Sequence, residues 1–121
     1  MTLNEYFYKA LATNKDTSDN ITYSVMGLTA EVGEIADKIA KWRRKGIVSI
    51  DGNKLVFSTA DEAEVAYYRQ ELAKELGDVL WFCAHLSRQL GYELEDVAQL
   101  NIAKLRDRAM RGVIDGNGDN R

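Results

Sequence analysis

The chain has 121 residues, 45% of them hydrophobic, and a formal net charge of −3. That length suits one domain with a modest core, and the slightly acidic balance argues against a general nucleic-acid binder. A single cysteine, Cys83, excludes an intramolecular disulfide. Neither a signal-peptide pattern nor an apolar run of about 18 residues appears, so the expected setting is cytoplasmic and reducing, without membrane contact.

Leu3, Tyr6, Phe7, Ala10 and Leu11 recur at helical spacing and predict a first amphipathic helix over 3–13. The polar segment 14–20 offers several N-caps. A second helix is expected over Ile21–Arg44, with the apolar stripe Val25, Leu28, Val32, Ile35, Ile39 and Trp42. Its basic end, Lys41 to Lys45, complements a helix C-terminus, and Gly46 suits the cap. Two β-rich runs around Asp51-Gly52-Asn53-Lys54 predict a small hairpin near 47–57.

Thr59-x-x-Glu62 reads as a capping box opening a third helix that ends at Leu90, before Gly91. Its stripe is Leu72, Leu76, Val79, Cys83, Leu86 and Leu90, and between Val79 and Leu86 it is apolar nearly all round. Such a helix needs cover on every side, which implies oligomerisation. A fourth helix is expected over Leu94–Arg111. Residues 1–112 then form a single domain and 113–121 a flexible tail. The absence of proline suits long uninterrupted helices.

One motif occurs twice. Glu31-Val32-Gly33-Glu34-Ile35 recurs as Glu75-Leu76-Gly77-Asp78-Val79. Carboxylates at i and i+3 share a helix face, and both pairs hold the same phase relative to Ile35 and Val79. If the stripes pack together, the two acidic flanks meet at the edge of the core. Four like charges there repel, and a hard divalent cation resolves the conflict. A lone acidic pair is an ordinary helix surface; the identically phased doubling is not. Gly33 and Gly77 strengthen the signal, because each costs roughly 1 kcal/mol relative to Ala inside a helix. They suggest close backbone approach at two equivalent places.

The fourth helix carries Asn101, Lys104 and Arg108 at spacings of three and four. Asn101 lies in line with Leu94, Val97 and Leu105, where an apolar residue is expected, so it needs a partner. An amide and a cation beside an acidic metal cluster suit phosphate oxygens; the competing reading is a solvated basic face. Trp42 and Phe82 are candidates for stacking on a base, against simple packing. Lys41 is a candidate phosphate contact, against complementing its helix end. His85 lacks a glutamate three residues before it, Phe82 standing there, so a helical di-iron site is excluded and His85 reads as structural.

Together, Glu31-x-x-Glu34, Glu75-x-x-Asp78 and Asn101-x-x-Lys104-Leu105-x-x-Arg108 resemble the MazG-like nucleoside triphosphate pyrophosphohydrolases, of the all-α NTP pyrophosphatase superfamily, over roughly residues 21–111. The resemblance implies an all-α, four-to-five-helix hairpin bundle, with the β-hairpin near 47–57 as an insertion. It implies an enzyme that converts an NTP or dNTP to the monophosphate and pyrophosphate. Glu31, Glu34, Glu75 and Asp78 would hold Mg²⁺, with Mn²⁺ as a substitute, and form the catalytic set; Glu34 is the choice for general base. Asn101, Lys104 and Arg108 would contact the substrate phosphates, and the assembly would be a homodimer or homotetramer. One departure from compact members is the 40-residue gap between Glu34 and Glu75, which holds the expected hairpin. The alternative is a non-catalytic helical module that binds nucleotides or a protein partner.

Overall fold

Each helix start is written in its capping residues. In the computed structural model, which describes residues 1–120, Thr2 Oγ1 accepts a hydrogen bond from Glu5 N at 3.1 Å while Glu5 Oε2 accepts from Thr2 N at 2.6 Å. This capping box opens α1, Leu3–Leu11. The helix stops two residues short of its expected end, where the Thr13 hydroxyl donates back to Ala10 O at 2.7 Å. A single 3₁₀ turn, Asp16–Ser18, occupies the polar connection. Asn20 then caps α2, Ile21–Arg44, by accepting from Tyr23 N at 2.8 Å.

Gly46, at φ 72°, takes the left-handed conformation that ends α2. The chain then forms β1, Val48–Asp51, and β2, Lys54–Phe57, an antiparallel pair with Val48 opposite Phe57 and Asp51 opposite Lys54. The expected insertion is therefore present. A two-stranded ribbon needs something to pack on. Here Val48 is buried, the Phe57 ring stacks on Tyr68 at 6.0 Å, and Tyr68 meets Trp42 edge-on at 4.9 Å.

The third helix, α3, spans Glu62–Gln89. Its cap is Asp61, which accepts from Ala63 N at 3.0 Å, and not the expected Thr59. The Thr59 hydroxyl instead accepts from Asp61 N at 3.1 Å, one step outside the helix. The carboxylate two residues later reaches the exposed first-turn amides more directly. The fourth helix, α4, spans Leu94–Met110, with Glu93 and Asp96 forming its capping box.

The architecture is all-α with a small hairpin, as expected. Its core is small: Phe7 and Ala10 of α1, Ala84 of α3 and Leu94 of α4, with Tyr6, Leu11, Trp81 and Cys83 packed around them. His85 lies under this cluster at 1% exposure, its ring stacked on Trp81 at 3.7 Å and its Nδ1 2.9 Å from Trp81 O. Among the described residues no helix is long and apolar enough to cross a membrane.

The antiparallel α2–α3 hairpin departs from expectation in one important respect. The two apolar stripes do not form its seam throughout. Val25 and Val32 of α2 and Leu76 of α3 stand exposed, Val32 at 53% and Leu76 at 61%. The seam instead begins with Tyr23 and Gly27 against Phe82. It continues through Glu31 beside Glu75 and Asp78 and Lys38 beside Glu71 and Glu75, and closes with Trp42 against Tyr68. Glu31 and Glu75 thus lie half-buried within the hairpin interface, with Asp78 exposed at its margin, and not beside a continuous apolar seam.

The glycines are corrected in the same way. Gly33 and Gly77 are exposed, and a Cβ added at either meets nothing within 4 Å among the described residues. The close approach is at Gly27, where an added Cβ would fall 2.2 Å from Phe82 Cε1 and Cζ. Gly27 sits one turn before Glu31, on the face that α3 covers.

Candidate active site

Helix periodicity builds the site. Glu31 projects from α2, and Glu75 and Asp78 project from adjacent turns of α3 on the facing side. Each of the three offers a carboxylate oxygen, and these atoms all lie within 4.8 Å of one another. Glu31 and Glu75 are half-buried and Asp78 is exposed. Glu34 stands outside this trio and is exposed. Its charge still reaches the site: the Glu31 carboxyl is held above the ordinary glutamate range by burial first, then by the charges of Asp78, Glu75 and Glu34. Burial and the charges of Asp78 and Cys83 likewise raise the pKa of the nearby Tyr6 phenol.

Counter-charge is unevenly distributed. Among the described residues neither Glu31 nor Asp78 has a salt-bridge partner. Glu75 does: Lys38 Nζ lies 2.8 Å from Glu75 Oε1 and 3.1 Å from Glu71 Oε2. Glu71 also accepts from Lys74 at 2.5 Å. These contacts lower the carboxyl pKa of Glu71, through Lys74 first and Lys38 second, and raise the ammonium pKa of Lys38, through Glu75 first and Glu71 second. Lys38 and Glu71 are absent from the motif reading, although spacing could have found them. Lys38 is seven residues after Glu31 and four after Glu34, and Glu71 is four before Glu75, which puts each on its motif's own face.

The fourth-helix residues are placed differently from expectation. Asn101 is exposed and does not stand at a core-facing position, because Val97 and Leu105 on the same face are themselves open in the single chain. With Lys104, Val97 and Leu100 it lines a shallow hollow that contains none of the acidic trio. Lys104 and Arg108 both engage the tail. Lys104 Nζ lies 3.1 Å from Asp119 Oδ1, and Arg108, only 4% exposed, donates to the same oxygen at 2.8 Å and to Gly118 O at 3.2 Å. The two cations lower the Asp119 carboxyl pKa, Arg108 first.

The remaining candidates serve packing or pairing in this chain. Phe82, at 6% exposure, fills the gap over Gly27 between Trp81 and Tyr23, so it is not an open platform for a base. Trp42 is half-buried against Tyr68. Lys41 pairs with Asp37 at 2.6 Å across one turn of α2.

Comparison with known proteins bears on this geometry. The family model of the MazG nucleotide pyrophosphohydrolase domain matches residues 21–112. The chain belongs to the MazG family. The MazG match takes in α2, the hairpin, α3 and α4, and with them every candidate site residue; α1 lies outside it yet supplies Phe7 and Ala10 to the core. The chain is also similar to the Gene 37 protein of Mycobacterium phage L5, at 39% identity over 108 residues, covering 88% of this chain and 81% of that protein. No solved structure matches. The MazG family is generally metal-dependent, and Glu31, Glu75 and Asp78 form an acidic cluster of the kind such chemistry uses.

Proposed function

We propose that this MazG-family chain is a Mg²⁺-dependent nucleoside triphosphate pyrophosphohydrolase. Water adds to the nucleotide, the bond between the α- and β-phosphates breaks, and the monophosphate and pyrophosphate leave. The observation that carries this reading is the convergence of Glu31, Glu75 and Asp78 within 4.8 Å in the α2–α3 seam.

The donor set fits the cation. Its oxygens are hard ligands of the type Mg²⁺ takes, and Mn²⁺ fits the same ligands. Burial first, and then the charges of Asp78, Glu75 and Glu34, hold the Glu31 carboxyl above its ordinary range, and a divalent charge at the trio would offset both. A bound Mg²⁺ supplies charge neutralisation for the polyphosphate and acidifies a water. Glu31, Glu75 and Asp78 would hold the cation, and the exposed Glu34, three residues after Glu31, would take a proton from water as general base. Lys104 and Arg108, with Asn101, receive phosphate charge once Asp119 yields them. The exposed apolar residues Val25, Val32, Leu76 and Leu80 support a homodimer or homotetramer in which these faces are covered.

The test is release of monophosphate and pyrophosphate from the eight common NTPs and dNTPs with Mg²⁺, comparing wild type with Glu34→Ala and Asp78→Ala. Turnover by wild type that both substitutions abolish supports the assignment, and the best substrate names the base. Absence of turnover with every nucleotide, in a protein that still binds one of them, overturns it in favour of a non-catalytic nucleotide-binding module.

A further inference from the structure

We infer that Lys38 is an exchangeable counter-cation. It holds Glu75 in the free protein and passes to the polyphosphate of the nucleotide when Glu75 turns to the divalent cation. The inference rests on the reading of Glu31, Glu75 and Asp78 as a cation site, and goes beyond it by adding a substrate-binding residue on α2.

Three observations carry it. First, Glu75 belongs to two clusters at once: it is one of the three converging carboxylates, and its Oε1 lies 2.8 Å from Lys38 Nζ. An ammonium and a divalent cation are both positive, so each weakens the other's hold on one carboxylate. Second, the pair is not a solvated surface contact. The side chains of Lys38, Glu71 and Glu75 are 24%, 20% and 17% exposed, so the ammonium is held in the seam, beside the site. Third, Glu71 has other company. Lys74 donates to its Oε1 at 2.5 Å, leaving Lys38 its Oε2. Glu71 therefore stays paired when Lys38 moves, and Lys38 leaves no buried charge stranded.

Lysine suits this exchange chemically. Its compact charge rides on a flexible four-carbon stem with three rotatable donors, so it re-aims without moving the helix. Lys38 shares an α2 face with Glu31, two turns earlier. A phosphate oxygen arriving at the acidic trio therefore meets an ammonium already in the seam.

The predicted signature is a pair of changes with opposite sign. In Lys38→Met, the affinity for Mn²⁺ without nucleotide, measured by electron paramagnetic resonance, rises several-fold because a competing cation is gone. In the same variant KM for the best nucleotide at saturating Mg²⁺ rises about tenfold or more, the range expected for losing a charged hydrogen bond, and Lys38→Arg restores both toward wild type. A merely structural tie weakens Mn²⁺ and nucleotide together, and that result overturns the inference, as does an unchanged KM. Lys38→Gln keeps the stem and removes the charge, giving the same readouts should the Met variant not fold. Wild-type protein that binds no Mn²⁺ overturns the cation-site reading itself, and this inference with it. Wild type that binds Mn²⁺ and turns over normally, with Lys38→Met indistinguishable from it, overturns the inference alone.

Discussion

Glu31→Gln separates stability from activity. Glu31 is half-buried, has no salt-bridge partner among the described residues, and faces Glu75 and Asp78 with ligand atoms within 4.8 Å. Two unit charges 4.8 Å apart repel by about 0.9 kcal/mol in bulk water and about 3.5 kcal/mol at an effective dielectric of 20. A half-buried, partly screened group falls between these limits, so neutralising Glu31 should stabilise the metal-free fold by about 1–3 kcal/mol. At roughly 4 °C per kcal/mol for a domain of this size, Tm rises by about 4–12 °C in EDTA.

The pH dependence follows with a definite sign. The folded-state pKa of Glu31 is raised, so the folded protein binds this proton more tightly than the unfolded chain does. Its destabilising effect is full above the raised folded pKa and is relieved as pH falls through that value toward the unfolded one. The Tm gap between Glu31→Gln and wild type in EDTA should therefore be widest near neutral pH and close on acidification. With Mg²⁺ present, wild type should gain stability that the variant does not, and turnover should be lost in the variant. The assay is thermal denaturation over a pH series, with and without Mg²⁺. A variant that is less stable than wild type in EDTA, or equally stable, refutes the account of the trio as a repelling set awaiting a cation.

Three further outcomes are expected. Asp119→Asn weakens the tail's hold on Lys104 and Arg108 and should lower KM for nucleotide by about two- to fivefold; the exposed Lys104–Asp119 pair contributes only ~0–1 kcal/mol to stability, and the buried Arg108 keeps the Gly118 carbonyl as a partner. An unchanged KM would place the phosphates elsewhere than α4. Gly27→Ala drives a Cβ to 2.2 Å from the buried Phe82 ring; overpacking of about 1–3 kcal/mol, set against a propensity gain of roughly 1 kcal/mol, should leave a net loss of about 0–2 kcal/mol in urea denaturation, against a gain at an uncrowded helical glycine. Gly33→Ala and Gly77→Ala meet nothing within 4 Å in the single chain and should gain about 0.5–1 kcal/mol by propensity alone. A loss at either would mean that a partner subunit packs its backbone there.

Much of the fold was legible because its signals are local. The polar segment 14–20, Gly46 and the Asp51–Lys54 turn mark where α2 begins, where it ends and where the hairpin folds, and the doubled acidic motif points to three residues that meet. What was not legible depends on how the helices face one another. The stripe rule assumes that apolar residues choose the seam inside one chain. Here Val32 and Leu76 remain exposed while Glu31, Lys38 and Glu75 lie between the helices. Periodicity finds a stripe but does not say which surface covers it. The same gap explains why Gly33 and Gly77 drew attention when Gly27 makes the close contact. It also explains why the pairing of Lys104 and Arg108 with Asp119 was unforeseen: the tail's return onto α4 leaves no periodic trace.

The seam behaves like a beam pinned at its two ends. One pin is Phe82 against Gly27 and Tyr23; the other is Trp42 against Tyr68, with Phe57 of the hairpin behind it. From Gly27 to Trp42 is 15 residues, about 22 Å at the rise of an α-helix. Glu31 lies only four residues from the first pin, about 6 Å along the axis. A displacement at the Phe82 end therefore acts more strongly on Glu31 and Asp78, each four residues from that pin on its own helix, than one at the hairpin end, whereas Glu75 lies seven residues from Phe82 and seven from Tyr68, midway between the pins. The gap between the two halves of the site is thus gauged by an aromatic ring lying on a glycine, and a methyl group added there would change the spacing of the ligands without touching any of them.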